Sequence, residues 1–186
     1  MRERPSWTTP WSVTRALAVR FGGTGYVPPA ALERGTKVHE WTANTDQSLD
    51  DVERPKCLDG YCSAYQDFLA TMQPIWLKIE SPVEHHHLGY HGILDRIGWL
   101  HGDINQYCVA DIKTGGPREA DRYQLAAYAM AAEPERYRDV KRVGIYIRPN
   151  GRWALKSYSD VMDYQTWMEI LKQAEETRHG TRTRKT

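Results

Sequence analysis

Long apolar runs are missing from this chain. Nothing in it approaches the ~20 apolar residues that a membrane-spanning helix needs. The longest uncharged stretch of helical character, Gln124 to Ala132, is far too short. The first residues, Met-Arg-Glu-Arg-Pro-Ser-Trp, lack the apolar centre of a signal peptide, so the expectation is a cytoplasmic protein with no membrane contact. Cysteine is scarce: Cys57, Cys62 and Cys108 make an odd count without zinc spacing, which reads as free thiols in a reducing compartment. An excess of one charge sign is also missing. The 25 Lys and Arg residues nearly balance the 24 Asp and Glu, for a net charge of +1. No global field therefore draws the protein onto nucleic acid, and any such contact must use a local basic patch. The candidates are Arg2, Arg4, Arg15 and Arg20 near the start, and Arg178, Arg182, Arg184 and Lys185 near the end. Residues 179–186 read as a basic, solvated tail. There are no repeats and no low-complexity segments. The glycine-rich Gly22-Gly23-Thr24-Gly25 lacks the Gly-Lys-Ser/Thr ending of a phosphate-binding loop.

What is present fits one globular domain over 1–186. The chain has 186 residues, 40% apolar and 26% charged. Residues 1–29 read as irregular apart from a short helix over Ser12 to Phe21, with Ser12 or Thr14 as cap. Pro29 to Asn44 reads as a helix, although Gly35 interrupts it at about 1 kcal/mol against alanine. Asp59 to Met72 is a second helix, with Tyr61, Ala64, Tyr65, Phe68 and Leu69 at helical spacing. Ile75 to Glu80, Gly89 to Leu100 and Gln106 to Lys113 read as strands, the last two joined by a turn at 101–105. Asp121 to Ala132 is a helix ended by Pro134. Val143 to Arg148 and Trp153 to Tyr158 form a hairpin about Pro149-Asn150-Gly151, and Asp163 to Arg178 is an amphipathic helix. That order implies an α/β fold, a central mixed sheet flanked by helices.

Four short patterns carry chemistry. In Asp111-Ile112-Lys113, strand alternation puts Asp111 and Lys113 on one face, roughly 7 Å apart, with Ile112 turned into a core. Asp95 sits in the apolar strand Gly92-Ile93-Leu94-Asp95-Arg96-Ile97, where a buried carboxylate needs a partner or a metal. If the two strands pair, Asp95 approaches Asp111, and oxygen donors so grouped suit Mg²⁺ or Mn²⁺. An Asp bound to backbone amides or to Arg96 is the plainer reading. His39 lies four residues after Gly35 on the predicted helix, and glycine there lets a backbone or ligand come close. Gln124 and Tyr128, four apart, share a helix face.

Taken in order, Gly-x-x-x-His, Gly-x-x-Asp, Asp-x-Lys-Thr-Gly and Gln-x-x-x-Tyr resemble the PD-(D/E)XK nuclease superfamily, with the closest likeness to its RecB-type exonuclease branch, which many phages encode. The resemblance covers roughly residues 30 to 132. It implies a restriction-endonuclease-like fold, a divalent metal, Mg²⁺ or Mn²⁺, and hydrolysis of phosphodiester bonds in DNA. It implies that His39, Asp95, Asp111 and the backbone carbonyl of Ile112 are metal ligands. Lys113 is then the catalytic lysine, and Gln124 and Tyr128 form the motif of the following helix. Glu80 is similar to an acidic residue found ahead of the Asp95 strand in some members. Three cysteines, none near the C-terminus, argue against the iron–sulfur cluster of some relatives. The implied setting is phage DNA recombination, repair or replication in the host cytoplasm, with a single-strand annealing or other recombination protein as partner and homo-oligomers allowed.

Other features compete for attention. His85, His86, His87 and His91 invite a zinc reading, but three adjacent histidines between Pro82 and Gly89 suit an exposed loop better. Most of the seven tryptophans belong to the core, and those near the N-terminus are candidates to stack on unpaired bases. Two rival functions remain open at this point. One is a non-catalytic DNA-binding module of the same fold, serving recombination or packaging. The other is a metal-dependent hydrolase of small molecules, whose mark would be a closed pocket.

Overall fold

The computed structural model describes residues 6–22, 29–47, 52–101 and 106–182, with the side chains of 106 and 179–182 left aside. Its elements run β1 (Trp11–Ser12), α1 (Val13–Phe21), α2 (Pro29–Asp46), α3 (Asp59–Met72), β2 (Ile75–His85), β3 (Tyr90–Leu100), β4 (Gln106–Lys113), α4 (Glu119–Ala132), β5 (Lys141–Ile147), β6 (Trp153–Tyr158) and α5 (Met162–Arg182). Short 3₁₀ turns precede α3 and β5. The expected α/β class is the observed one: a six-stranded mixed sheet with helices on both faces. Strands β2 and β3, β3 and β4, and β5 and β6 pair antiparallel, whereas β4 and β5 are parallel and joined by a crossover through α4.

Strand alternation sorts the two faces. Val109 on β4 packs with Leu125 of α4 and Trp167 of α5 in one core. Cys108, Ala110 and Ile112 pack with Val38 of α2 and Phe68 of α3 in the other. Asp111 and Lys113 therefore lie on the α4 face, as the sequence predicts. On β3, Leu94 and Ile97 belong to the same core although they are three apart. Alternation thus changes phase between them, at Asp95 and Arg96. The sheet is also incomplete there. Strand β3 pairs with β2 along one edge, and with β1 at Tyr90–His91 and β4 from Arg96 onward along the other. Residues 92–95 have no strand partner on that second edge among the described residues.

Several boundaries differ from the sequence reading, each for a local reason. Strand β2 continues five residues past Glu80, through Pro82 to His85. It is an edge strand, where proline is tolerated. A turn over 86–89 follows, with Gly89 at φ +70°, so His86 and His87 do lie in a loop while His85 ends the strand. Helix α4 starts at Glu119, two residues early, because Asp121 caps it: the Arg118 N–H donates to Asp121 Oδ2 at 2.8 Å. Helix α5 extends to Arg182, four residues into the segment read as a tail. Strand β1 is too short to leave a period in the sequence. Arg2 and Arg4, Gly23 to Pro28, the 102–105 part of the expected turn, and Arg184 and Lys185 lie outside the described residues. Among the described residues no helix is long and apolar enough to cross a membrane.

Candidate active site

The gap in the sheet opens into a cleft of about 1090 Å³, walled by α2 on one side and by the end of β4 on the other. His39, Glu80, Ile112 and Lys113 line it. Each reaches the cleft from a different element. His39 sits one helical turn beyond Gly35 on α2, and Lys113 ends β4. Glu80 on β2 lies opposite Asp95 on β3, since Ile79 pairs with Arg96 and Ser81 with Leu94. Glu80 adopts φ +46°, a left-handed conformation that costs a non-glycine residue about 1 kcal/mol or more. That backbone conformation sets Glu80 across the sheet from Asp95.

Asp95 is 6% exposed, and its carboxylate takes over a role that a neighbouring strand would otherwise fill. The Ile112 N–H donates to Asp95 Oδ2 at 2.7 Å. The His39 Nδ1 lies 3.4 Å from that oxygen and 3.5 Å from Glu80 Oε1. Ligand atoms of His39, Glu80 and Asp95 all fall within 4.8 Å of one another. The adjacent carboxylate of Asp95, chiefly, pushes the His39 pKa up to about 9 against the effect of burial.

A second cluster adjoins the first. Asp111 is 2% exposed, and its Oδ1 accepts from Gln124 Nε2 at 3.1 Å. Lys113 Nζ stands 2.6 Å from Asp111 Oδ2, a close ion pair, but off the hydrogen-bonding direction, so that buried oxygen has no hydrogen-bond partner. The ammonium donates instead to Gln124 Oε1 at 2.9 Å. The second hydrogen of Gln124 Nε2 goes to the Tyr128 hydroxyl, 3.2 Å away. The amide of Gln124 is thereby fully engaged, which fixes its orientation. Burial first, then the nearby Asp95 charge, raises the Asp111 pKa to about 6. Burial works against the charge on Lys113, but Asp111 and Asp95 outweigh it and raise its pKa, so the group is an ammonium at neutral pH.

Behind Glu80 lies Arg96, which the sequence offered as a partner for the Asp95 carboxylate; that carboxylate instead accepts from the Ile112 N–H, and the guanidinium bonds elsewhere. Arg96 is fully buried, and it donates to Asp46 Oδ2 at 2.5 Å, to Glu80 Oε1 at 3.1 Å, to Thr42 Oγ1 at 3.2 Å and to its neighbour's carbonyl, Asp95 O, at 2.8 Å. Tyr65 supplies a further donor to Asp46 Oδ2, at 2.6 Å. Arg96 thus ties the Glu80 carboxylate to α2 and α3. Its signal in the sequence was a charged pair, Asp95-Arg96, inside an otherwise apolar strand.

The residues present fit a divalent cation of the Mg²⁺ or Mn²⁺ kind. Their donors are carboxylate oxygens with one imidazole, the set such ions accept, and no thiolate is near. The tightest group is His39, Glu80 and Asp95, so Glu80 gains weight over the sequence reading, while Asp111 is turned toward Lys113 and Gln124. Two of the other histidines are occupied elsewhere. His85 stacks on Tyr90 with ring centres 5.3 Å apart, and His91 stacks on Trp7 at 4.3 Å, which also engages that tryptophan. Among the described residues they form no further group of three metal-ligating side chains.

No protein-family model matches this sequence, and neither does any curated protein. Solved structures do resemble it. An alkaline exonuclease from Laribacter hongkongensis, LHK-Exo, is 14% identical over 92% of this chain and 91% of its own, with a TM-score of 0.49. The same exonuclease in complex with dAMP aligns at 13% identity over 93% of each chain, with a TM-score of 0.46. A protein designated SSO0001 is 15% identical over 94% of this chain and 79% of its own, with a TM-score of 0.47.

Proposed function

We propose that the chain is a single-domain, divalent-metal-dependent deoxyribonuclease that hydrolyses phosphodiester bonds, acting as an exonuclease on DNA. One observation carries the reading: His39 and Glu80, grouped with the buried Asp95, and Lys113, paired with the buried Asp111 and held by Gln124, line one cleft. A carboxylate–imidazole cluster beside a fixed ammonium suits phosphodiester hydrolysis, because negative charge builds on the phosphate while water attacks. Bound there, Mg²⁺ or Mn²⁺ would neutralise the phosphate and lower the pKa of a water.

The chain's own groups divide the remaining work. His39, Glu80 and Asp95 would hold the cation, with Asp111 and the Ile112 carbonyl as further donors. Lys113 keeps its proton at neutral pH and presents positive charge toward the cleft. Gln124 holds that ammonium at 2.9 Å and is itself braced by Tyr128. Arg96 keeps the Glu80 carboxylate from swinging out of the cluster. An open cleft instead of a closed pocket favours a polymer over a small-molecule substrate. The wider setting, phage DNA recombination, repair or replication in the host cytoplasm beside an annealing protein, follows from the motif resemblance.

The test is cleavage of plain linear DNA with Mg²⁺ or Mn²⁺, with and without chelator, by wild type and Asp95→Asn. Metal-dependent digestion lost in the variant supports the reading. Tight DNA binding without cleavage in either metal overturns it in favour of a binding module.

A further inference from the structure

Three glycines line the cleft, and the fold asks for none of them. Gly35, Gly115 and Gly116 all contribute to its walls. A Cβ added at any of the three would meet nothing within 4 Å, and none has the positive φ that only glycine accepts easily. Gly35 is the most telling, since it stands inside the 18-residue helix α2, where glycine weakens the helix relative to alanine. Packing does not explain it and backbone geometry does not explain it. What remains is the space in front of it. Its side of α2 is that of His39, four residues on, and Gly115 and Gly116 follow Lys113 and Thr114 across the cleft.

Resting on the nuclease reading above, we infer that Gly35 is a clearance position over which the sugar–phosphate backbone of a polynucleotide strand passes on its way to the His39, Glu80 and Lys113 end of the cleft. Length supports a polymer. From Ala31 to Asn44, both on the cleft wall, α2 runs about 20 Å at 1.5 Å per residue. Successive nucleotides of a stacked strand advance about 3.4 Å along its axis, so the wall accommodates several nucleotides, not one. Charge supports a polyanion. Arg34, Lys113 and Arg118 stand at the cleft against Glu40 and Glu80, and the Arg118 side chain, 3.8 Å from Asp121, is 66% exposed. A side chain at residue 35 would stand where the strand must pass.

The prediction is a stability gain coupled to a loss of function. Gly35→Ala and Gly35→Gln both place better helix formers in open space, so each should raise Tm, Ala by about 2–4 °C. Folding defects therefore cannot account for lost activity. Hydrolysis of DNA and of the small diester bis(p-nitrophenyl) phosphate would be measured in Mn²⁺ for wild type and both variants. Binding of a fluorescent oligonucleotide in Ca²⁺ would be measured alongside. For Gly35→Gln, the ratio of kcat/KM for DNA to that for the small diester should fall tenfold or more, with the loss in KM, and oligonucleotide affinity should fall by a similar factor. Gly35→Ala should show a smaller loss of the same kind. Unchanged DNA affinity and unchanged ratio in Gly35→Gln, at raised Tm, would overturn the clearance role while leaving the nuclease reading intact. A wild type that binds DNA without cleaving it, and loses that binding in Gly35→Gln, would overturn the nuclease reading and keep the strand path. A wild type that neither binds nor cleaves removes both.

Discussion

Replacing Arg96 with methionine isolates what the buried guanidinium does, because methionine keeps an apolar stem of similar length. Arg96 is 0% exposed, and its strongest partner, the Asp46 carboxylate, is 1% exposed. Removing the cation leaves Asp46 with the Tyr65 hydroxyl alone and leaves Glu80 with only the His39 contact. Breaking a buried pair by deleting one partner costs about 3–5 kcal/mol. For a domain of this size each kcal/mol moves Tm by about 2–4 °C, so the variant should melt about 6–20 °C lower. The penalty should depend on pH. Burial already raises the Asp46 pKa above its ordinary 3.8, with Arg96 opposing the rise, so loss of Arg96 raises it further. A carboxyl with a raised folded pKa contributes stability below its unfolded value and loses it as pH rises through the folded one. The gap between variant and wild type should accordingly be widest at neutral pH and should narrow on acidification. Urea unfolding across that range measures it. Adding Asp46→Asn to the variant removes the orphaned charge and should recover a large part of the loss. A penalty below about 1 kcal/mol, the range of an exposed pair, would refute the reasoning, as would a double variant no more stable than the single.

Three further outcomes follow from the site. Lys113→Ala should retain metal affinity or gain it, since an ammonium beside the cation is removed, while cleavage falls by about 10²–10⁴-fold; wild-type cleavage in this variant would end the catalytic reading of Lys113. Gln124→Ala strips hydrogen bonds from Asp111, Lys113 and Tyr128, so activity should drop more than tenfold, whereas full activity with a lowered Tm would make Gln124 structural. His39 has its pKa raised to about 9, so the metal-free protein should lose stability between about pH 6.5 and 9, and divalent-metal affinity should climb over the same range as the proton leaves. Thermal melts and metal titrations across that range, against His39→Gln, check this; identical pH curves for the two proteins would remove His39 from the cluster.

The sequence announced the parts of this molecule whose signal is periodic. The helical spacing of Tyr61, Ala64, Tyr65 and Phe68 foretold α3 to the residue, and the alternation in Val109 to Lys113 put Asp111 and Lys113 on the face they occupy. The four-residue steps from Gly35 to His39 and from Gln124 to Tyr128 likewise gave side chains that share a face. What escaped is non-periodic or long-range. Strand β1 has two residues and is held by pairing with β3, so it carries no pattern of its own. Glu80 was reached only through the motif resemblance, because it enters the cluster by a left-handed backbone and a partner sixteen residues away, neither of which local sequence encodes. Asp46 sits at the end of a helix where an exposed acid would be unremarkable, and only the packing of β3 against α2 and α3 reveals that it is buried against Arg96. Gly35 was visible as an interruption of a helix, but whether it served packing, geometry or clearance needed the empty space around its Cα.

The central claim is that the cleft hydrolyses DNA with a divalent metal, and end-labelled linear DNA compared with covalently closed circular DNA tests it most directly. With Mg²⁺ or Mn²⁺, wild type should shorten the linear substrate progressively and leave the closed circle intact, and chelator or Asp95→Asn should abolish digestion. Digestion that persists in excess chelator or in Asp95→Asn, or linear DNA that stays whole in both metals, would contradict the account.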